Sequence, residues 1–448
     1  MLTDVIAALA TPPGRSAVAL LRLSGSGAFT VAGRLLQPFC ADPPRRLRRA
    51  RVIDPGSGET LDEVLYATFA GPASYTGQDV VEVSTHGGAL VPAEVLAACR
   101  AAGARLAEPG EFTRRAVLNS RMDLLQAEAI GDLIDATAPE QRRMAVQQLD
   151  RGLSLRIERL RERILELETL VCYEIDFPEE DHGPVSDAQV HEAVNACLAV
   201  CDGLLTSFQR GALVRSGVLT VIAGRPNVGK SSLFNALLGN ERAIVTHHPG
   251  TTRDAIEALA SCRGYPFRLI DTAGLRTSDD PIERLGIEVS RRYLEQADLV
   301  VFCVESGRRL TPEEQEFLDE VRGRVVLVRT MVDVSEGTGR RVEEGLGVSS
   351  HTGEGLEQLQ DALVAASFGR ASSGADAGAV LTRERHRVAL RRSRDEIRAF
   401  ADARRAGLET AVAATHLRAA VGQLEELIGV VRADDVLGSV FATFCVGK

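Results

Sequence analysis

Lysine is nearly missing from this sequence: only Lys230 and Lys448 occur among 52 basic residues, and arginine supplies the rest. Long apolar runs are missing as well. No stretch approaches the roughly 20 residues that cross a bilayer, and no basic segment followed by an apolar one stands near the N-terminus. The pattern holds no membrane span or secretory leader, and the expectation is a cytoplasmic protein with no membrane partner. Positive charge is not in excess: the formal net charge is -10, which argues against gripping nucleic acid through bulk electrostatics. The runs RRLRRAR (Arg45 to Arg51) and RRSR (Arg391 to Arg394) read most simply as solvated faces, permitting contact with RNA without requiring it. Cysteines paired at metal-binding spacing are lacking too. Of eight cysteines only Cys197 and Cys201 stand one helical turn apart, and a site with two thiolates needs two more ligands, so reduced thiols are the better reading.

What is present points to a multidomain chain. Its 448 residues exceed one ordinary core, and 45% hydrophobic with 25% charged residues fit a globular protein. Residues 1–117 are rich in Gly, Pro and short β-branched runs such as SAVALLRLSG and DVVEVSTHGG, which read as strands joined by turns. From residue 118 the texture is helical. Ile157, Leu160, Ile164, Leu167 and Val171 recur at three and four residues, forming one apolar stripe with Ser154 as its expected N-cap. Near Gly217 a third texture begins, in which GVLTVIAG, FRLIDTAG, DLVVFCVE and RVVLVRT are short apolar strands separated by helix-length segments, as in a parallel α/β sheet. It ends at the small-residue linker ASSGADAG, Ala371 to Gly378, after which Leu417, Val421, Leu424 and Ile428 restore a helical stripe. The expected architecture is therefore mixed α/β and α+β. An N-terminal α+β domain (1–117) precedes a discontinuous helical domain (118–216 and 376–448), which is interrupted by an α/β domain (217–375).

GRPNVGKS, Gly224 to Ser231, follows the strand at 218–223 and opens the helical pattern SLFNALLG. Glycines let backbone N–H groups turn inward around phosphate, the helix N-terminus adds positive potential, and Lys230 reaches the terminal phosphates while Ser231 ligates magnesium. The competing reading is a purely structural glycine loop. DTAG, Asp271 to Gly274, puts a carboxylate beside that loop for magnesium and the Gly274 N–H toward a γ-phosphate. PGTTRD, Pro249 to Asp254, offers Thr251 and Thr252 hydroxyls to complete the metal shell.

The order GRPNVGKS, PGTTRD, DTAGLR resembles the translation-factor-related GTPases of the ribosome-assembly and tRNA-modification branch. Leu275 stands where Ras-like members carry a water-orienting Gln, so water must be positioned from elsewhere. The resemblance implies potassium in place of an arginine finger, held by Asn227 and by Thr246, His248 and Thr251, with magnesium on Ser231 and Thr252. It also implies Glu283 as the water-orienting acid, against the plainer reading of a surface helix carboxylate, so that Lys230, Asn227, Gly274 and Glu283 are the expected catalytic set. Nucleotide contacts are implied along Asn227, Val228, Gly229, Lys230, Ser231 and Ser232. They continue along Thr246, His247, His248, Pro249, Gly250, Thr251 and Thr252, and at Asp271, Thr272, Ala273 and Gly274. The guanine motif departs from Asn-Lys-X-Asp: Thr330 and Met331 replace the first two residues, and Asp333 stays to pair with guanine. Ser349, Ser350 and His351 resemble the last guanine loop.

The last residues discriminate within the branch. FCVGK, ending at Lys448, resembles the Cys-X-Gly-Lys ending of the MnmE (TrmE) family of tRNA uridine-modification GTPases. ATPPGRSAVALLRLSG, GPASYTGQDVVEVSTHGG and EPGEFTRRAVLNSRMDLLQAEAIGDLIDA match the same family. That resemblance implies an N-terminal domain that dimerises and binds a reduced folate (5,10-methylene- or 5-formyl-tetrahydrofolate) through Arg22, Glu82, Arg121 and Lys448, with Cys445 nearby in an unassigned role. It also implies an FAD-dependent partner, MnmG (GidA), joined in a heterotetramer that modifies C5 of the tRNA wobble uridine to a carboxymethylaminomethyl or aminomethyl product. Arg121 departs from a usual Lys. The two retained lysines then fall at the phosphate loop and the tail, where a compact ammonium differs from an arginine fork; chance survival is the alternative. A prenylation reading of Cys445 fails on the non-aliphatic Gly447 and final Lys. The competing function is a ribosome-assembly switch that docks on rRNA.

Overall fold

The computed structural model describes residues 3–176, 186–239, 257–271, 293–321, 324–334, 344–369, 380–430, 438, 440–442 and 444–448. The chain divides into two compact units, one made of Met1–Gly131, Ser154–Val194 and Arg392–Lys448, the other of Asp132–Leu153 and Asn195–Arg391.

The first unit is built on seven strands, β1 Ile6–Leu9, β2 Gly14–Ser24, β3 Leu36–Gln37, β4 Arg48–Ile53, β5 Thr60–Phe69, β6 Val80–Gly88 and β7 Arg105–Leu106. They lie in the order β3-β4-β5-β6-β2-β1-β7. Alternation decides the faces. Leu21, Leu23, Val81, Val83, Val64 and Tyr66 form one core with helix α1 (Ala28–Leu35) and helix α2 (Leu90–Ala101), through Val31, Leu35, Val95 and Cys99. The opposite parity of β2 and β6 carries Arg22 and Glu82, which are direct cross-strand partners. The two helices supply the α part of the expected α+β domain, in a region whose local texture read as strands and turns. The arginine-rich run contributes β4, with Arg49 and Arg51 side chains 73% and 64% exposed and paired to Glu63, as a solvated face should be.

Helix α3 (Glu111–Leu118), α4 (Leu124–Asp135), α5 (Pro139–Leu149), α6 (Gly152–Asp176) and α7 (Asp187–Ser216) follow. The expected stripe of α6, from Ile157 to Val171, is at most 1% exposed. Near the end of the chain a helix at Thr410–Ile428 buries Leu417, Val421, Leu424 and Ile428. Arg161 pairs with Glu425 of that helix at 2.8 Å and Arg418 pairs with Glu168 at 2.6 Å, so the two helical stretches meet across more than 200 residues of chain. Ser154 is not an N-cap: α6 begins at Gly152, and the Ser154 hydroxyl lies buried inside its first turn with no hydrogen-bond partner among the described residues. The apolar Leu153 just before it is fully buried, which carries the helix past the polar residue that should have stopped it.

The second unit contains a six-stranded sheet. Its strands are β8 Val218–Gly224, β9 Glu257–Cys262, β10 Tyr265–Asp271, β11 Leu299–Glu305, β12 Arg324–Thr330 and β13 Leu346–Val348, in the order β13-β12-β11-β8-β10-β9. All neighbours are parallel except β9 with β10. Leu299, Val301 and Cys303 pack with helix α8 (Lys230–Gly239) and a helix at Leu356–Phe368, while Val300, Phe302 and Val304 pack toward α9 (Pro312–Glu320). Burial on both faces is why β8, apart from Thr220, and β11, up to Val304, are apolar runs. The expected linker 371–378 lies outside the described residues. No helix among the described residues is long and apolar enough to cross a membrane.

Two glycines of α7 test the packing of this unit. A Cβ on Gly211 would stand 2.1 Å from the Leu381 carbonyl oxygen, whereas one on Gly203 would meet nothing within 4 Å. Helix propensity alone favours alanine at both by about 1 kcal/mol. Gly203→Ala should therefore leave the unfolding midpoint unchanged or raise it, and Gly211→Ala should lower it. Equal effects in thermal denaturation would refute the close approach.

Candidate functional site

The phosphate-type loop is shaped by the strand before it. A Cβ on Gly224, which has φ +141, would lie 2.4 Å from the Cys303 carbonyl oxygen, so only glycine lets β8 end against β11. Asn227 and Gly229 then take φ values of 64 and 86. Left-handed residues among right-handed ones turn successive N–H groups toward one concavity, and α8 starts at once, adding its N-terminal potential. Lys230 is 6% exposed, and its Nζ donates to the Arg225 carbonyl at 2.8 Å. The Ser231 hydroxyl donates to Asp271 Oδ2 at 2.7 Å. Asp271 ends β10, in register with Ile222 of β8, so parallel pairing delivers the carboxylate to the loop. A serine hydroxyl and a carboxylate side by side are the hard oxygen donors that magnesium takes. Burial pushes the neighbouring Cys303 thiol up to about 12 despite the nearby Lys230 charge, which keeps it neutral.

The outer flank holds residues that the sequence reading missed. Arg225 donates to Thr311 Oγ1 at 3.0 Å and Glu313 at 2.9 Å, and pairs with Glu314 at 3.2 Å. Glu314 also takes both Arg308 nitrogens, at 2.9 and 2.7 Å, and the Arg308 hydrogen bond is the main cause that brings its pKa down to about 2. The signal was present in TPEE, where Thr311 and Glu314 form the capping box of α9.

On the base-reading side, the Thr330 hydroxyl donates to the Val228 carbonyl at 2.6 Å, tying the end of β12 to the loop. Met331 has φ 59, and its Cε lies 3.5 Å from where a Cβ on Gly229 would stand. Asp333 is exposed. Ser349 is buried and its Oγ accepts the His351 and Thr352 N–H groups at 3.3 and 3.1 Å. Asn227, Val228, Gly229, Lys230, Ser231, Ser232, Asp271, Thr330, Met331 and Ser349 thus belong to one end of one sheet. Thr246, His247, His248, Pro249, Gly250, Thr251, Thr252, Thr272, Ala273, Gly274, Leu275 and Glu283 lie outside the described residues.

In the other unit, the tail folds back on the N-terminal sheet. Arg22 forks onto Glu82 Oε1 at 3.0 and 2.7 Å, donates to the Gly447 carbonyl at 3.4 Å, and lies 5.3 Å from the Tyr75 ring centre and 5.7 Å from that of Phe112. The Gly110 N–H donates to Cys445 O at 3.4 Å and the Phe112 N–H to Lys448 O at 3.2 Å, with Pro109 and Val446 bridged between them. Gly447 has φ +99, and a Cβ there would stand 2.6 Å from the Leu9 carbonyl oxygen. Arg121 Nε donates to the Ser74 carbonyl at 3.1 Å, one residue from the tyrosine under Arg22. Arg22 and Glu82 thus meet the tail just before Lys448, while Arg121 is tied to the neighbouring Ser74 carbonyl. The Cys445 side chain is exposed.

Behind this junction lies a buried ion cluster that sequence reasoning missed. Glu111, between the two residues that hold the tail, accepts Arg105 at 2.7 and 2.6 Å and Arg115 at 2.9 Å; the Glu111 and Arg115 side chains are 2% and 1% exposed. Burial alone would raise the Glu111 pKa, but donors from Arg105, the Glu108 N–H and Arg115 outweigh it and bring it to about 2. Period-based reading assigns charged residues to surfaces, and nothing local in EFTRR marks this pair as internal.

Comparison with known proteins bears on both sites. The family profile described as the MnmE helical domain matches residues 124–445, and that of the GTP-binding protein TrmE N-terminus matches residues 5–121. The tRNA modification GTPase MnmE of Moorella thermoacetica is 39% identical over 100% of both chains. The proteins of the same name from Geotalea uraniireducens and Aquifex aeolicus are 40% and 38% identical, each over 99% of this chain and 99% and 100% of their own.

Two measurements probe the tail junction. Gly447→Ala should speed hydrogen exchange of a peptide spanning residues 109–113, because the Gly110 and Phe112 amides lose their acceptors; unchanged exchange would contradict the docking. Glu111→Gln should cost about 3–5 kcal/mol, as breaking a buried pair does. Since the folded pKa is depressed from 4.5 to about 2, the ionised Glu111 stabilises fully above pH 4.5 and progressively less as pH falls toward 2. The cost of the variant should shrink over that same window, and a cost independent of pH would refute the assignment.

Proposed function

The chain belongs to the MnmE family of tRNA modification GTPases, and we propose that it couples potassium-stimulated GTP hydrolysis to modification of C5 of the tRNA wobble uridine. The observation that carries the reading is the placement of Lys230, Ser231 and Asp271 around one loop that reverses through the left-handed Asn227 and Gly229. Lys230, held on the Arg225 carbonyl, is within reach of the terminal phosphates of GTP, and the loop amides orient the chain of phosphates for in-line attack by water. Ser231 and Thr252 would hold magnesium, and Asn227, Thr246, His248 and Thr251 would hold potassium; bound there, such cations would supply positive charge against the phosphates. Gly274 donates to the γ-phosphate and Glu283 orients the water. Asp333 selects guanine by accepting two N–H groups of its edge.

In the N-terminal region, Glu82 pairs with donors of a reduced-folate pterin while Arg22, Arg121 and Lys448 attract its carboxylates, the folate supplying a one-carbon unit when bound. The three-part division into 1–117, 118–216 with 376–448, and 217–375 fits this assignment. A homodimer, joined by the FAD-dependent MnmG in a heterotetramer acting on tRNA in the cytoplasm, completes the reading. Its support is the convergence of Arg22, Glu82 and the tail, and relatives of full length. Family membership also favours it over an rRNA-docking switch.

Steady-state hydrolysis tests the nucleotide half. GTP turnover should be markedly faster in potassium than in sodium, and Lys230→Ala should lower it about 10²-fold or more; equal rates in both salts would refute the potassium site. Equilibrium binding of 5-formyl-tetrahydrofolate to the full chain tests the other half. Glu82→Gln and Lys448→Arg should each weaken it about tenfold, and undiminished affinity would remove the folate assignment.

A further inference from the structure

Resting on the reading of this chain as a GTPase, we infer that it recognises guanine through N1, N2 and O6 and offers N7 no hydrogen-bond donor, with Thr330 as the determining residue. Guanine carries acceptors at O6 and N7 and donors at N1–H and the N2 amino group. N2, N1, O6 and N7 follow one another around the ring. Contacts from Asp333 and from the loop after β13 to the first three therefore turn N7 toward the remaining wall, formed by Thr330 and the phosphate loop behind it.

Among the described residues, neither the Thr330 hydroxyl nor the Met331 side chain on that wall has a proton to give. The Thr330 hydroxyl carries a single hydrogen, donated to the Val228 carbonyl at 2.6 Å, and its other neighbour, at 3.3 Å, is the Val304 carbonyl, also an acceptor. The residue is 2% exposed, so its rotamer is held by packing. Met331, whose methyl lies beside Gly229, has a thioether that accepts and cannot donate. The amides of the last loop are already assigned. Ser349 N–H donates to Glu354 O at 2.9 Å, and those of His351 and Thr352 donate to Ser349 Oγ. Among the described residues this leaves the Ser350 N–H for O6. An asparagine at 330 would differ, because an amide has two hydrogens: one for Val228, one for the base. Thr330 thus keeps the tie between β12 and the loop and gives up one reading contact. Discrimination against adenine survives, since it rests on Asp333 and Ser350.

Displacement of a ribose-labelled fluorescent GDP from the full-length protein by GTP, 7-deaza-GTP, ITP and ATP tests this. GTP and 7-deaza-GTP should compete within about twofold of each other, while ITP, lacking the N2 amino group, should be about tenfold weaker or worse. Binding of 7-deaza-GTP at least about fivefold weaker than GTP would overturn the inference and leave the GTPase reading standing. No preference for GTP over ATP would overturn both. Thr330→Asn should create a preference for GTP over 7-deaza-GTP of about fivefold or more; a variant that binds GTP without that preference would remove Thr330 as the determinant.

Discussion

The second unit depends on one constraint: β8 must end close enough to β11 for the next residues to reverse directly into α8. Gly224 permits the approach, and the left-handed Asn227 and Gly229 perform the reversal. The loop is then held from three sides, by Lys230 on the Arg225 carbonyl, by Thr330 on the Val228 carbonyl, and by Arg225 on α9. None of these ties uses a loop N–H group. The reversal comes at the cost of a backbone conformation that most non-glycine residues resist, as at Asn227.

The first unit solves a similar problem with different means. Its tail is joined to the sheet mainly by backbone contacts, to Gly110, Phe112 and the guanidinium of Arg22, and the two glycines at this junction, Gly110 and Gly447, both take left-handed φ values. Arg22 serves two partners at once, the Glu82 carboxylate and the tail carbonyl. Whatever draws on Glu82 therefore changes the hold on the tail, and the cluster of Glu111, Arg105 and Arg115 fixes the α3 end against which that exchange takes place.

Much of this was legible in the residues. Strands β8, β10, β11 and β12 are apolar on both parities because helices cover both faces, and such runs are hard to mistake once a glycine loop follows one of them. The α6 stripe and its partner near the end of the chain were legible for the opposite reason, since a one-sided burial leaves a clean period. The helices α1 and α2 were not, being short segments set among Gly- and Pro-rich stretches. Ser154 was misread because a buried Leu153 extends the helix beyond the polar residue. The placement of Lys230, Asp271 and the tail followed from motif order. The ties through Glu314 and Glu111 were overlooked, because a capping box or an i,i+4 pair marks a helix turn without saying that its charges are buried.

The proposed function stands on Lys230, Ser231 and Asp271 acting together as one magnesium-dependent site for a nucleoside triphosphate. Isothermal titration of GTP into the full chain, with and without magnesium, measures it directly. One GTP should bind per chain, more tightly when magnesium is present. A titration without saturable heat, or an affinity indifferent to magnesium, would contradict it.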